Sequence, residues 1–367
     1  MKKVVIAPDS FKGTLSSVDV CRTVSTVLRK KYKEIEITEI PVADGGEGTV
    51  EAFLYALGGE KIYCTVKSPL GSDITAYYGI LPDGTAVIEM AQASGISIEK
   101  ENKALLASTF GTGELISNAL EKGCRKFLIG IGGSATTDGG VGCIASLGGK
   151  FLNVDNKSIA LCGKGLSALH KIDLSGLDKR LSESEITVLC DVKNPLYGKM
   201  GAAYVYAPQK GADEAAVGIL DEGLNRLAVV AEKTLAMDYS YCEGAGAAGG
   251  LGFGLVAFCG ARLMTGIECV LSATGFTEKA QKADLIITGE GKMDSQSLMG
   301  KVPFGVAQKS GGKKVVAIVG VSDIDLVSVN EKGIASIIET NPLHLPFDQI
   351  KHKAEEMLAE AAKKIQL

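Results

Sequence analysis

Acidic residues and glycines occur together where apolar runs end, and these short segments hold the residue types that could do chemistry. The first, Asp9–Gly13, follows the apolar run Val4–Ala7, and the second, Asp44–Gly48, follows the run that ends at Val42. Carboxylates beside glycines can coordinate Mg²⁺ or accept hydrogen bonds from substrate hydroxyls while the backbone stays close to the ligand. Turn formation explains the same residues, so each loop taken alone leaves both interpretations open.

Lys12 lies in the first of these loops, between the first predicted strand and the first predicted helix. A lysine at such a turn can meet a carboxylate or a phosphate together with the amides of the helix N-terminus. A solvated lysine, with Asp9 and Ser10 satisfying the turn amides, is the competing interpretation. Neighbouring strand ends of a parallel sheet would bring this loop beside Asp44 and Glu47, which favours a binding role.

Three later segments repeat the pattern. Gly130–Thr136 follows an apolar run, and its amides could form a nest for phosphate, with Ser134 and Thr136 adding hydroxyls. Asp191 follows another apolar run and precedes a proline-led turn, where capping of the turn explains it as well as catalysis does. Thr288–Asp294 combines two acids, a lysine and glycines, and predicts metal or phosphate binding unless the glycines only form turns.

The histidine content restricts the chemistry. His170, His344 and His352 are the chain's three histidines, and they are too scattered for a Ser-His-Asp triad or a histidine-rich metal site. Phosphoryl transfer fits the remaining carboxylates, lysines, hydroxyls and amides, because it depends on positioning and charge neutralisation. No GxxxxGK[ST] loop is present, so a P-loop kinase is excluded. The five loops together predict a site for magnesium and phosphate.

A dinucleotide site is the alternative interpretation of one of these loops. Gly130–Ala135 matches the pattern GxGxxA, and Asp155 ends the next apolar run, as a ribose-binding acid would. The residues that follow, Thr136–Gly140, would make a poor first turn of the helix that such a site requires. We therefore rank an NAD-dependent oxidoreductase below a kinase.

The alternation of strands and helices predicts an α/β fold with an open parallel sheet of the flavodoxin or Rossmann type. Two strands come from the start of the chain and three from its end: Val4–Ala7, Ile35–Val42, Leu285–Thr288, Val315–Val319 and Ile334–Ile338. We expect residues 1–61 with 283–367 to form one discontinuous domain. Residues 62–282, with hairpin signals and glycine-rich loops, form an inserted α/β domain, and we expect the active site in the cleft between the two.

Bulk composition limits the partners. The 367 residues carry a formal net charge of −4, which argues against a nucleic-acid-binding face. The nine cysteines form no CxxC pair and are interpreted as reduced, buried thiols. The uncharged stretch 244–261 is rich in glycine, so we expect a buried loop and core helix rather than a membrane span. The first apolar run is too short for a signal peptide, and we expect a cytoplasmic protein.

These loops resemble the bacterial glycerate kinase family in order and spacing from residue 4 to about 310. The matching stretches are Ala7–Gly13, Ala43–Thr49, Glu89–Ala91 with Ala93–Gly95, Gly111–Ile116, Gly130–Thr136, Asp138–Gly140, Cys190–Val192 with Asn194–Leu196, Gly244–Gly250, and Thr288–Gly291 with Asp294, Gln296 and Ser297. Thr137 departs from the family pattern, in which asparagine is expected, and the change is conservative. The resemblance implies ATP and Mg²⁺ as phosphate donor and cofactor, D-glycerate as acceptor, and two α/β domains around a cleft.

With the resemblance, the residues receive hypothetical roles. Lys12 and Ser10 are expected to bind the glycerate carboxylate, and Asp44 or Asp191 to orient and deprotonate the attacking hydroxyl. Glu290 and Asp294 are expected to hold Mg²⁺. Further substrate contacts are assigned to Asp9, Glu47 and Asn194, and ATP phosphates to Gly132, Gly133, Ser134, Thr136, Gly289 and Gly291.

Members of this family typically phosphorylate the 2-hydroxyl and give 2-phosphoglycerate. One rotation of the bound substrate exchanges the 2- and 3-hydroxyls, so the sequence leaves 3-phosphoglycerate as an alternative product. A non-catalytic regulator would need a DNA-binding or oligomerising appendage, which no segment resembles. Oligomeric state has no signal in the sequence.

Overall fold

The computed structural model describes residues 1–99, 101, 103–295, 297–299 and 301–367. Over these residues the strands are β1 (Lys2–Ile6), β2 (Ile35–Glu39), β3 (Glu60–Lys67), β4 (Asp73–Ile80), β5 (Thr85–Glu89), β6 (Lys126–Gly130), β7 (Lys150–Leu152), β8 (Lys171–Asp173), β9 (Glu185–Leu189), β10 (Arg262–Met264), β11 (Leu285–Met293), β12 (Val315–Ser322) and β13 (Ser336–Glu339).

The helices alternate with these strands. They are α1 (Ser17–Lys31), α2 (Thr49–Leu57), α3 (Ala91–Ser94), α4 (Phe110–Glu121), α5 (Val141–Ser146), α6 (Ala202–Tyr206), α7 (Glu214–Leu235), α8 (Ala247–Cys259), α9 (Gly266–Ala273), α10 (Phe276–Gln281), α11 (Val302–Lys309), α12 (Leu326–Glu331), α13 (Phe347–Ile350) and α14 (Ala354–Lys363). Short 3₁₀ helices lie at Gly163–Ala168, Lys179–Glu183, Pro208–Lys210 and Ser297–Met299.

The chain forms two compact units. Unit 1 consists of Met1–Asp44, Glu51–Gly58 and Gly266–Leu367, and unit 2 consists of Gly45–Val50 and Gly59–Thr265. The structure therefore returns to unit 1 at residue 266, whereas the sequence analysis places that return at 283. The intervening helices α9 and α10 belong to unit 1 because their apolar faces pack there: Ile267 of α9 lies against Gly305 of α11, which has no side chain to obstruct it.

Unit 1 contains the predicted open parallel sheet. Its strand order is β13-β12-β11-β1-β2, and each neighbouring pair is parallel. In the order in which these strands occur along the chain this is 2-1-3-4-5, the flavodoxin-like order that the sequence predicts. A capping box begins α1, where Ser16 and Asp19 satisfy each other's backbone amides. An α/β fold with parallel sheets is confirmed.

One strand of this sheet is longer than predicted. The sequence predicts a loop over Thr288–Asp294, but β11 continues through Gly289 and Gly291 to Met293. The glycines are needed for close packing, because a Cβ at Gly289 would collide with the carbonyl oxygen of Ile318 on β12. The glycines of this segment predict a turn, but hydrogen bonding to β12 continues the strand through them.

Unit 2 contains a mixed sheet with the strand order β10-β9-β6-β5-β4-β3. The predicted hairpin region supplies the antiparallel strands β3, β4 and β5, and β5, β6, β9 and β10 pair in parallel. Buried apolar residues of β5, β6 and β9, including Ile88, Ile129 and Val188, form its core. Parallel strands buried on both faces are expected to be continuous apolar runs of this kind.

The uncharged segment 244–261 forms α8 and the turn before it. Ala248, Gly249 and Gly250 interrupt α8 with left-handed backbone conformations. A side chain at Gly249 would collide with the carbonyl oxygen of Thr136, so this part of α8 packs directly on the glycine-rich loop that follows β6. Among the helices of the described residues, none has the length and apolar composition that a membrane crossing requires.

Candidate active site

Two carboxylates occupy the carboxyl-terminal edge of the sheet in unit 1. Asp9 follows β1, and its amide donates a hydrogen bond to the carbonyl oxygen of Gly289 at 2.8 Å, which brings it beside Glu290 of β11. Burial raises the pKa of Asp9 to about 6, and the nearby charge of Asp44 adds to the effect. Burial also raises the pKa of Glu290 to about 7, with the charges of Asp9 and Asp294 contributing. Perturbed carboxylates of this kind are typical of functional sites.

Glu290 is the more unusual of the two. Its side chain is 5% exposed, and Oε1 has no hydrogen-bond partner among the described residues. The carboxylate accepts a hydrogen bond from Ser297, and the charge of Lys301 opposes part of the shift in pKa. A buried carboxylate oxygen without a partner is costly when ionised, so a bound cation would stabilise it.

The first loop carries the predicted ligands of a substrate carboxylate. Lys12 Nζ lies 3.2 Å from Asp44 Oδ2, and 79% of the lysine side chain is exposed. The Ser10 amide donates to Asp9 Oδ1 at 2.6 Å, which orients the Asp9 carboxylate along the loop. Gly13 has a φ of +81° and lies against the ring of Phe347, so a residue with a side chain would strain the turn. The structure thus brings Asp9, Lys12 and Asp44 together as the sequence predicts.

Asp294 follows β11 and lies near a lysine. Lys301 Nζ is 3.8 Å from Asp294 Oδ1, and the Asp294 amide donates to Ser297 Oγ at 3.1 Å. Gln296, one of the residues that carry the family resemblance, lies outside the described residues. Gly291 approaches the backbone of Phe11 and Lys12, so its role in packing is clear and its predicted contact with ATP stays a prediction.

In unit 2 the loop after β6 packs on the segment Gly45–Gly46. The amide of Gly132 donates to the carbonyl oxygen of Gly45 at 3.0 Å, and a Cβ on Gly132 would lie 2.7 Å from the Cα of Gly46. Gly133 has a φ of +72°, a conformation that favours glycine. The glycines therefore let two backbone segments approach closely and form a turn, as an anion-binding loop requires.

Two buried titratable side chains lie near this loop: Lys210, which contacts it, and Asp138, which follows it in the chain. The Asp138 carboxylate accepts hydrogen bonds from the Thr109 amide and hydroxyl and from the amides of Gly140 and Gly142. Lys210 Nζ donates to the carbonyl oxygen of Thr136 at 2.6 Å and to Ser134 Oγ at 3.2 Å. Asp138 stands in a motif of the family resemblance, but Lys210 has no signal in the sequence that marks it as buried.

The other predicted residues of unit 2 have less enclosed positions. Asp191 follows β9 and is exposed, and Glu47 is exposed as well. The amide group of Asn194 is used within the chain: Nδ2 donates to the carbonyl oxygen of Met200 at 2.8 Å, and Oδ1 accepts from the Tyr206 hydroxyl at 2.6 Å. These bonds hold the turn that follows Asp191, and the predicted substrate contact of Asn194 stays a prediction.

The dinucleotide interpretation finds no support in this geometry. Asp155 is exposed beyond β7, and β7 pairs antiparallel with β8 in a separate two-stranded ribbon. A ribose-binding acid should instead end a strand parallel to β6 in the same sheet. The helix that follows the glycine loop, α5, spans only Val141–Ser146, and ten residues separate its start from the end of β6 at Gly130.

The carboxylate oxygens at the edge of the unit 1 sheet fit the Mg²⁺ ion that the sequence predicts. Mg²⁺ prefers oxygen ligands and is usually held by one or two carboxylates together with substrate phosphates. Glu290, with its unpartnered buried oxygen, and the adjacent Asp294 suit such a site. Within the described residues no three or more His, Cys, Asp or Glu side chains are grouped closely enough to hold a metal ion by themselves. In the glycine loop of unit 2, the amides of Gly132, Ala135 and Thr136 already donate within the chain, to Gly45, Ser94 and Ser134.

Comparisons with known proteins agree with this chemistry. The model of the glycerate kinase family matches residues 4–367. A glycerate kinase from Bacillus subtilis is 44% identical over 97% of this chain and 94% of its own. A glycerate 2-kinase from Escherichia coli is 43% identical over 99% of this chain and 97% of its own. The crystal structure of a proposed glycerate kinase 2 from Salmonella typhimurium LT2 superposes with a TM-score of 0.88 at 41% identity, covering 99% of this chain and 96% of that one.

The family match covers both units, including the buried carboxylates of unit 1 and the glycine loop of unit 2. On this basis the chain belongs to the glycerate kinase family.

Proposed function

We propose that this enzyme transfers the γ-phosphoryl group of ATP to the 2-hydroxyl of D-glycerate and releases 2-phosphoglycerate and ADP. The observation that carries the proposal is the buried Glu290 carboxylate, whose Oε1 has no partner among the described residues and which suits a divalent cation. The choice of the 2-hydroxyl is supported by the E. coli relative, which is named a glycerate 2-kinase.

Unit 1 supplies the proposed cation and carboxylate sites. Glu290 and Asp294 hold Mg²⁺, which when bound neutralises charge on the phosphate oxygens. Lys12 and Ser10 bind the carboxylate of glycerate, and Asp9 contributes a further substrate contact. An exposed lysine beside a loop amide is a suitable partner for a carboxylate that arrives from solvent, because a charge-assisted hydrogen bond is stronger than a neutral one.

Unit 2 supplies the proposed phosphate site. The sequence also predicts contacts from Gly132 and Thr136, but the Gly132 amide donates to Gly45 and Thr136 is fully buried. The Gly133 amide and the Ser134 hydroxyl are therefore the proposed contacts of this loop with the phosphates of ATP, and Gly289 and Gly291 of unit 1 are further proposed contacts. Ser134 is 8% exposed, while Thr136 is fully buried, so Ser134 is the hydroxyl nearer to solvent. Glu47 and Asn194 are proposed substrate contacts.

The chemical step forms one bond and breaks one. The glycerate hydroxyl oxygen forms a bond to the γ-phosphorus, the bond from that phosphorus to the β,γ-bridging oxygen breaks, and the hydroxyl proton moves to a carboxylate. Asp44 and Asp191 are the proposed acceptors, because both follow strand regions and are at least partly exposed.

Asp44→Asn and Asp191→Asn distinguish the two proposed bases. We expect the variant that lacks the base to lose about 10²–10⁴-fold in kcat while its KM for ATP stays near that of the wild type. The other variant serves as the matched control. Near-normal turnover in both variants would show that neither carboxylate accepts the proton.

The reaction itself is tested with ATP, Mg²⁺ and D-glycerate in a coupled assay of ADP release, and the product is identified by phosphorus NMR. Release of ADP with formation of 2-phosphoglycerate, and its loss when EDTA replaces Mg²⁺, is the expected result. Formation of 3-phosphoglycerate would correct only the position of transfer. A folded protein that releases no ADP with glycerate or other hydroxy acids would overturn the proposal.

A further inference from the structure

Lys210 is a lysine enclosed within unit 2. Its side chain is 2% exposed, and it stands at the end of the 3₁₀ helix Pro208–Lys210, which closes at Gly211 with a φ of +85°. The ammonium donates to the carbonyl oxygen of Thr136 at 2.6 Å and to Ser134 Oγ at 3.2 Å. An enclosed ammonium cannot reach a ligand directly, so any role in binding must act through the groups that it contacts.

The contact with Ser134 fixes the direction of its hydroxyl proton. Ser134 Oγ accepts from Lys210 Nζ at 3.2 Å and from the Thr136 amide at 3.1 Å. A hydroxyl oxygen has two acceptor positions and one proton to donate. With both acceptor positions used, Ser134 must act as a donor, and within the chain it donates to the Thr136 carbonyl oxygen at 3.3 Å. Lys210 occupies the same carbonyl oxygen at the shorter distance of 2.6 Å, so a ligand oxygen on the exposed side of Ser134 competes for the hydroxyl proton.

Two opposing effects of its surroundings set the pKa of Lys210. Burial lowers its pKa to about 7, and the charge of Asp138 opposes this effect. The Asp138 carboxylate is itself bound by four donors from Thr109, Gly140 and Gly142, so it is fixed in place. A cation maintained beneath an amide-rich loop raises the electrostatic potential at that loop, where an anion would bind.

We propose that Lys210 is a positioning residue for the phosphate loop: it holds the Thr136 carbonyl and commits Ser134 to donate its hydroxyl proton to a phosphate oxygen of ATP. This inference rests on the proposed function of the Gly132–Thr136 loop. It assigns Lys210 to ATP binding, and to neither glycerate binding nor the chemical step.

The test compares Lys210→Met, which keeps the length of the side chain and removes its charge, with the wild type. We expect the KM for ATP to rise about tenfold, in keeping with the loss of one charge-assisted hydrogen bond. The kcat and the KM for glycerate should stay within about twofold, because the side-chain hydrogen bonds of Lys210 in the described residues go to Ser134 and Thr136 of the phosphate loop. Lys164→Met, at an exposed lysine of the same unit, is the matched control and should leave all three constants unchanged.

Ser134→Ala keeps the proposal testable if Lys210→Met does not fold. It leaves Lys210 in place, and we expect a similar rise in the KM for ATP. If both variants fold, the double variant should be little worse than either single one, because the two residues act through one hydrogen bond. Additive losses, or a wild-type KM for ATP in Ser134→Ala, would overturn the positioning role.

The wild-type protein separates this test from that of the proposed function. A wild type that does not turn over ATP and glycerate contradicts the kinase reaction. An active wild type with an unchanged KM for ATP in Lys210→Met contradicts only the role of Lys210.

Discussion

Asp138 of unit 2 and Glu290 of unit 1 are both buried carboxylates, and their surroundings differ. Asp138 is fully buried and accepts four hydrogen bonds from Thr109, Gly140 and Gly142. Glu290 is 5% exposed, accepts from Ser297, and has an oxygen with no partner in the described part of the chain. The Asp138 carboxylate has its hydrogen-bond partners within the fold, while Glu290 Oε1 has none among the described residues.

This difference distinguishes the two acids by their hydrogen-bond partners. Burial raises the pKa of both groups, so a raised pKa alone does not distinguish them. The hydrogen-bond partners do, because a native fold rarely leaves a buried polar atom unpaired unless a ligand or function requires it. By this criterion Asp138 belongs to the internal hydrogen-bond network of unit 2, and Glu290 is the proposed ligand of a cation.

Asp138→Asn should have the largest effect on stability. The amide places an NH₂ group where several backbone donors converge, so we expect the free energy of unfolding to fall by about 3–5 kcal/mol. Urea denaturation followed by circular dichroism measures it. Asp155→Asn, at an exposed acid of the same unit, is the control and should change stability by less than about 0.5 kcal/mol. A loss below about 1 kcal/mol for Asp138→Asn would remove the distinction between the two carboxylates.

Glu290→Gln should lower activity and leave stability unchanged or higher, the opposite of what we expect for Asp138→Asn. We expect kcat/KM to fall about 100-fold or more, because the variant lacks the negative charge that would bind the cation. The free energy of unfolding should stay equal or rise, since no other group in the described chain pairs with Oε1. Steady-state kinetics and urea denaturation on the same sample measure both. Glu36→Gln, at an exposed acid of β2 in the same sheet, should retain full activity.

The pH dependence of stability should sharpen the comparison for Glu290. Its pKa is about 7 in the folded chain and 4.5 as the ordinary value, so the unfolded chain ionises first as the pH rises. The wild type should therefore lose stability relative to Glu290→Gln between about pH 4.5 and 7, and the difference should level off above that at about 3–4 kcal/mol. Urea denaturation in EDTA at several pH values measures this. A pH-independent difference would mean that the carboxylate ionises in the folded chain as freely as in water.

The sequence predicts the framework of these sites better than their details. The strand order of unit 1 follows from apolar runs such as Val4–Ala7 and Val315–Val319, each ending in a loop before a helix. The same pattern places Asp9, Lys12 and Asp44 at one edge of a sheet, as the structure has them. These predictions succeed because parallel strands with short connections have few possible arrangements.

The remainder depends on tertiary contacts that local sequence does not encode. Gly289 and Gly291 resemble turn residues, yet they lie in β11, which pairs with β12 from Ile286 to Met293, and a side chain at Gly289 would collide with Ile318. Lys210 resembles any lysine after a proline, and only the packing of unit 2 encloses its ammonium under the phosphate loop. The division of the substrate-binding roles among Ser10, Glu47 and Asn194 stays a prediction for the same reason.

Lys12→Met should have the smallest effect of these variants on stability and activity. It tests an exposed charged residue for comparison with the two buried acids. Lys12 and Asp44 form an ion pair at 3.2 Å with 79% and 38% of their side chains exposed, and such pairs contribute about 0–1 kcal/mol to stability. We expect an almost unchanged free energy of unfolding and a KM for glycerate raised about tenfold, because a bound carboxylate loses its charged partner. Steady-state kinetics with varied glycerate measures it, and Lys30→Met, in the last turn of α1, is the control. An unchanged KM for glycerate would move the carboxylate site away from this loop while leaving Glu290 as the buried acid that needs a ligand.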